Sequence, residues 1–113
     1  MQMPFRAGPI HVVKATLFRV LGHPARVRIL ELLRDGERSV GSLQAELGLD
    51  SGGTSQHLAA LRRIGLVTSR RDGTSVFYQV EDESVFDLLE AGRAIIGRRL
   101  ATEQSLLHEL ESE

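Results

Sequence analysis

The chain has 113 residues, 42% of them hydrophobic, yet only four Phe, one Tyr and no Trp, so one modest core of Leu, Val and Ile is expected. Zero cysteines exclude disulfides, thiolate nucleophiles and Cys-ligated metals. No apolar run approaches the ~20 residues of a membrane span, and the stretch from Met1 to Ile10 does not resemble a signal peptide, so a cytoplasmic protein is expected. The net charge of −1 hides a gradient. Residues 51–80 carry Arg62, Arg63, Arg70 and Arg71 against Asp72 alone, for +3, whereas residues 81–113 carry three arginines against nine carboxylates, for −6. Taken alone, that pattern fits solvated helix faces as well as a polyanionic partner.

In chain order, an N-terminal arm over 1–9 precedes a domain over 10–113. Val13, Leu17 and Val20/Leu21 recur at helical spacing up to Gly22. Pro24 suits the first turn of a second helix, where its missing N–H costs nothing; that helix carries Val27, Leu30 and Leu33 to Asp35-Gly36. Ser39 is a plausible N-cap for a third helix closed by Gly48. A fourth begins at Asp50 or Ser51 and buries Leu58, Leu61 and Ile64. Only Gly48-Leu49-Asp50 separates these two, the short glycine-containing turn of a helix-turn-helix.

The period then changes. Residues 66–69 and 75–80 are rich in β-branched and aromatic side chains and flank Arg71-Asp72-Gly73-Thr74, a strong hairpin signal. Arginines at its tip suggest a wing that reaches phosphate or minor groove. From Asp82 to about residue 110 the pattern is helical again. Val85, Leu89, Ile96, Leu100 and Leu107 are spaced 4, 7, 4 and 7, a narrow seam resembling a coiled coil. Such a helix is too long for one small domain to cover, so part of the seam is expected to meet a second subunit. Gly92 and Gly97 mark either close helix approach or a kink. The expected fold is mainly α with a small β-hairpin, in the order αααα-ββ-α: a homodimeric winged helix-turn-helix.

Three motifs together resemble the ArsR/SmtB regulators: Leu21-Gly22-His23-Pro24-Ala25-Arg26-Val27-Arg28-Ile29-Leu30, Ser55-Gln56-His57-Leu58 with Leu61-Arg62 and Gly65-Leu66-Val67, and Arg70-Arg71-Asp72-Gly73 through Phe77-Tyr78. The resemblance spans roughly residues 10–110. It implies a homodimer paired through its first and last helices, with Val13, Leu17 and the 85–107 seam at the interface. It also implies repression at a double-stranded operator, an imperfect palindrome with half-sites about 34 Å apart.

On the implied recognition helix lie Ser51, Thr54, Ser55, Gln56 and His57, with Gln56 suited to bidentate contact with adenine. Arg62, Arg63, Arg70 and Arg71 suit phosphate. Each has a structural alternative: His57 capping or packing within the domain, Ser55 facing backbone, Arg62 bridging to a carboxylate of its own chain. His23, before Pro24, reads as a turn residue. Gly52 and Gly53 depart from the family's usual helix opening. They lower helix propensity but allow close backbone approach to phosphate, so a frayed first turn that orders on DNA is expected.

Many family members release DNA on binding metal. Without cysteine, soft metals are disfavoured, leaving a nitrogen/oxygen site for Ni2+, Zn2+ or cobalt. His108 and Glu111 share a face of the last helix and match half of the family's zinc site there. The other half falls at Ile95 and Gly97, which cannot ligate, and His11 would have to supply a third ligand across the dimer. Solvated side chains are the alternative. The competing functions are an effector-independent regulator or a protein-interaction module under a partner protein's control. An enzyme is not expected: there is no phosphate loop, Gly-x-Ser-x-Gly or Cys/His pair.

Overall fold

The computed structural model describes residues 8–112, so most of the 1–9 arm lies outside the described residues. Five helices, one 3-10 turn and three strands follow in the order α1 (Ile10–Leu21), α2 (Pro24–Leu32), the turn Leu33–Asp35, β1 (Arg38–Ser39), α3 (Val40–Leu47), α4 (Ser51–Arg63), β2 (Thr68–Asp72), β3 (Ser75–Gln79) and α5 (Ser84–Ser112). This is the expected winged helix-turn-helix, with one addition. A strand between α2 and α3 pairs with the hairpin to make a three-stranded antiparallel sheet in the order β1-β3-β2. Two residues carry too little pattern to announce a strand; the pairing Arg38↔Tyr78 and Ser39↔Phe77 is a tertiary event.

Local chemistry sets the helix boundaries. The His23 Nδ1 accepts the Ala25 N–H at 3.1 Å, capping α2 directly before Pro24. Ser39 Oγ accepts from the Ser42 N–H, and Asp50 Oδ1 accepts from the Gly53 N–H at 2.6 Å. Between α3 and α4, Gly48 adopts φ +65°, the left-handed cap that lets the chain reverse into the next helix. The hairpin pairs Asp72↔Ser75, so Gly73-Thr74 is a two-residue loop and Gly73, at φ +63°, supplies the positive φ that its first position requires. Arg71 and Asp72 are thus strand residues rather than turn residues.

The core joins all the helices. Ile29 and Leu30 of α2, Leu43 of α3, and Leu58 and Leu61 of α4 are buried with Leu21, Leu33, Val67 and Val85. Tyr78, Val80, Leu88 and Leu89 pack around them. Each fully buried Leu or Ile contributes about 1.5–3 kcal/mol, and this packing fixes the rotational phase of α4.

Candidate nucleic-acid interface

The phase of α4 follows from its sequence. Thr54, Leu58 and Leu61 lie four and three apart and are buried, so Gly52, Ser55, Gln56, Ala59, Arg62 and Arg63 fall on the exposed side. The outer face is small near the helix start and basic at its end. Asp50 caps the first turn, on the segment where Gly52-Gly53 lower helix propensity. A Cβ at Gly53 would lie 3.0 Å from Asp50 Oδ1, and a glycine there leaves the cap its room. At Gly52 the nearest atom would be 3.8 Å away, so packing within the chain does not demand that glycine.

Several expected site residues change role. Thr54 is fully buried and its Oγ1 donates to the Asp50 carbonyl at 2.9 Å, so it is a core residue and not a DNA contact. Its spacing from Leu58 and Leu61 already carried that signal. His57 is partly buried and turned into the domain: the Arg26 Nε–H donates to its Nδ1 at 3.2 Å, and its ring centroid lies 4.2 Å from that of His23. The packing alternative holds for His57, and His23 is the turn residue anticipated. Ser51, Ser55, Gln56, Arg62 and Arg63 are exposed, and neither Arg62 nor Arg63 pairs with a carboxylate among the described residues.

The two wing arginines diverge. On β2, Arg70 shares a face with its cross-strand partner Phe77, and its guanidinium lies 4.7 Å from that ring's centre. Glu37, in the loop before β1, grips the same guanidinium in bidentate fashion: Nε donates to Oε2 at 2.9 Å and Nη2 to Oε1. That bond holds the Glu37 carboxyl below its ordinary range and raises Arg70. In the unbound chain Arg70 therefore ties the wing to the domain while staying exposed, rather than standing free as Arg71 does. Arg71, one residue on, points to the opposite face and is exposed. Sequence reasoning missed Glu37 because its partner is 33 residues away. Between wing and helices runs a cleft of about 430 Å³, its wall made of hydroxyl residues such as Ser39, Ser55 and Ser75 and of the apolar Val40 and Val76.

The expected dimer residues divide. Val85 is 7% exposed and belongs to the domain core, which corrects its assignment to the interface. Val13, Leu17 and Leu89 are partly buried. Ile96, Leu100 and Leu107 are 60%, 53% and 57% exposed, joined by Ile95, Leu106 and Leu110, which the narrow seam omitted. An apolar groove of about 720 Å³ between α1, α2 and α5 is lined by Phe18, Leu21, Val27, Leu88, Leu89, Ile95 and Ile96. The helix α5 is continuous through Gly92 and Gly97, and a Cβ at either would meet nothing within 4 Å.

The candidate metal ligands do not assemble within one chain. His11, His108 and Glu111 are exposed, and among the described residues no group of three or more His, Cys, Asp or Glu is arranged to hold a metal. No helix among them is long and apolar enough to cross a membrane.

A helix-turn-helix with a braced wing and an open outer face on its second helix defines a winged-helix DNA-binding regulator. Residues 23–69 match the family model for bacterial regulatory proteins of the arsR family. An uncharacterized HTH-type transcriptional regulator, Rv0081 of Mycobacterium tuberculosis, is 41% identical over 105 residues, 92% of either chain. The biofilm growth-associated repressor of Agrobacterium fabrum is 40% identical over 81 residues, 72% of this chain and 69% of that one. The crystal structure of Rv0081 superposes with a TM-score of 0.78 at 42% identity, covering 86% of this chain and 98% of that one. The homodimeric winged helix-turn-helix DNA-binding domain Mb0332 of Mycobacterium bovis gives 0.68 at 32% identity, covering 76% and 80%. The chain belongs to the arsR family: it is a transcriptional regulator and not an enzyme.

Proposed function

We propose that the protein is a homodimeric repressor that reads an imperfect palindrome in double-stranded DNA with the outer face of α4. The observation that carries this reading is that face itself. Ser51, Ser55 and Gln56 stand free beside Gly52 and Ala59, so little side-chain bulk separates the helix from a groove floor. Gln56 has the amide geometry for adenine, while Arg62, Arg63 and Arg71 are exposed cations for flanking phosphates. The cleft beside Ser55, walled by hydroxyls together with Val40 and Val76, leaves room for the backbone between helix and wing. Dimerisation through α1 and α5 would cover the groove at Phe18 and Ile96 and is supported by the homodimeric Mycobacterium bovis relative. A blocked promoter is the simplest outcome of such binding, in keeping with the similar repressor. It places the protein in the cytoplasm.

Within one chain, the candidate ligands do not fit a metal. A nickel- or zinc-type response therefore needs a site shared between protomers, with His11 of one facing His108 and Glu111 of the other.

The deciding experiment selects duplexes from a random pool and measures affinity for selected and scrambled DNA over a salt series. Selected DNA should bind at least about 10³-fold tighter. Arg71→Ala should flatten the slope of log affinity against log salt by about 0.9 for each phosphate that the side chain neutralises. Equal affinity for both duplexes overturns sequence-specific reading. Repeating the titration with nickel and zinc tests the shared site: unchanged DNA affinity removes the metal response.

A further inference from the structure

Arg26 occupies the first turn of α2, where the partial positive charge of the helix end disfavours a cation. Its tertiary contacts account for the placement. The Nη1 group donates to the Val20 carbonyl at 3.3 Å, one of the carbonyls that the end of α1 leaves without a helical partner. Nε donates to His57 Nδ1, 31 residues away on α4. A single guanidinium thus ties the end of α1 and the start of α2 to the recognition helix, one residue from Gln56. His57 sits on the edge between the buried line of Thr54, Leu58 and Leu61 and the exposed line of Ser55, Gln56 and Ala59. The buried line sets the roll of α4, and a contact at this edge trims it.

The contact has a protonation requirement. Because Nδ1 accepts, the proton of neutral His57 must lie on Nε2; protonated His57 has no acceptor and confronts Arg26 as a second cation. The charged and titratable groups bearing on it are His23 and Arg26, both at the start of α2. No carboxylate pairs with it among the described residues.

Resting on the DNA-binding reading above, we propose that Arg26 and His57 are positioning residues for DNA recognition: their hydrogen bond steadies the core-set pose of α4 and requires neutral His57, so acidification weakens specific binding. Burial, then His23 and Arg26, lower the proton affinity of His57 from its ordinary value of 6.5. The bond is therefore intact at neutral pH. The folded state takes up the proton less readily than the unfolded one, so stability falls as pH drops below about 6.5, down through the lowered folded value, and is flat beneath it.

The sign separates this role from direct contact. If His57 touched phosphate, protonation would add a cation and tighten binding; if it positions α4, protonation loosens it. The test measures affinity of the full chain for a selected duplex at fixed salt between pH 7.5 and 5.5, for wild type, His57→Gln and His57→Ala. Glutamine can accept from Arg26 without titrating. His57→Gln should stay within about threefold of wild type at pH 7.5 and hold affinity at pH 5.5. Wild type should weaken there by an extra factor approaching about tenfold per protomer per pH unit once His57 titrates. His57→Ala should lose about tenfold at both values. Tighter wild-type binding in acid, parallel wild-type and His57→Gln profiles, or unchanged affinity of His57→Ala at pH 7.5 would each overturn the proposal. NMR of the free protein supplies a readout independent of DNA. The His57 ring should show the Nε2–H tautomer and titrate below 6.5, with the Arg26 Nε–H resonance moving in step. If those signals behave as stated but no duplex binds, the DNA-binding reading fails and the junction stands. If the Arg26 resonance ignores the titration, the junction fails.

Discussion

The helices α4 and α5 obey the same amphipathic rule and end in opposite situations. In α4, the inward stripe of Thr54, Leu58 and Leu61 is covered by its own chain, and the outward face is small and polar. In α5, Val85 and Phe86 are covered, but Ile95, Ile96, Leu100, Leu106, Leu107 and Leu110 remain in water. A helix whose free face is polar is finished as a folded object and can offer that face to DNA. One whose free face is apolar leaves burial, worth roughly 25 cal/mol per Å², to be gained from another protein surface. The α4 face is fully formed within one chain, whereas the apolar stripe of α5 is left uncovered by it.

The hardest test of that contrast is to charge the uncovered stripe. Leu100→Glu with Leu107→Glu should leave the monomer folded by circular dichroism and convert the dimer to monomers in sedimentation. Losing the second half-site should cost about 10²- to 10⁴-fold in operator affinity. A dimer that survives would show that the stripe has another purpose. The first turn of α5 should behave like α4: Val85→Ala removes two buried methyl groups, about 1.5 kcal/mol of stability in denaturant titration, with the dimer constant unchanged. Dimer loss without destabilisation would return Val85 to the interface. On α4, Asp50→Ala deletes the cap and should cost about 1 kcal/mol. Smallest of all, Gly52→Ala should stabilise the helix by up to about 1 kcal/mol, since the methyl meets no close neighbour. If operator affinity falls while stability rises, the glycine serves close approach to DNA; if both rise, it does not.

Much of the architecture was legible because its causes are local. Periodicity and punctuation placed α1, α3, α4 and α5 and the hairpin to within a few residues, since caps, glycine turns and i, i+4 spacing act over one or two helical turns. The exposed face with Ser55 and Gln56 could be read in the same way. Thr54 could have been excluded from it by the same spacing, and Val85 by its place on the first turn of a helix that must dock before it can extend. Short β1 escaped because two residues show no period.

The sequence alone determined a winged helix-turn-helix with an apolar-seamed final helix, because side chains a few positions apart must share a face whatever the rest of the chain does. Tertiary structure decided which polar groups on those faces are free. Glu37 takes Arg70 from 33 positions away, and Arg26 takes His57 from 31. Adjacent arginines on one strand thereby acquire different surroundings, and a histidine beside the exposed face of α4 is tied into the domain. Partners separated that far meet only when the core brings their elements together, and no local pattern announces the meeting.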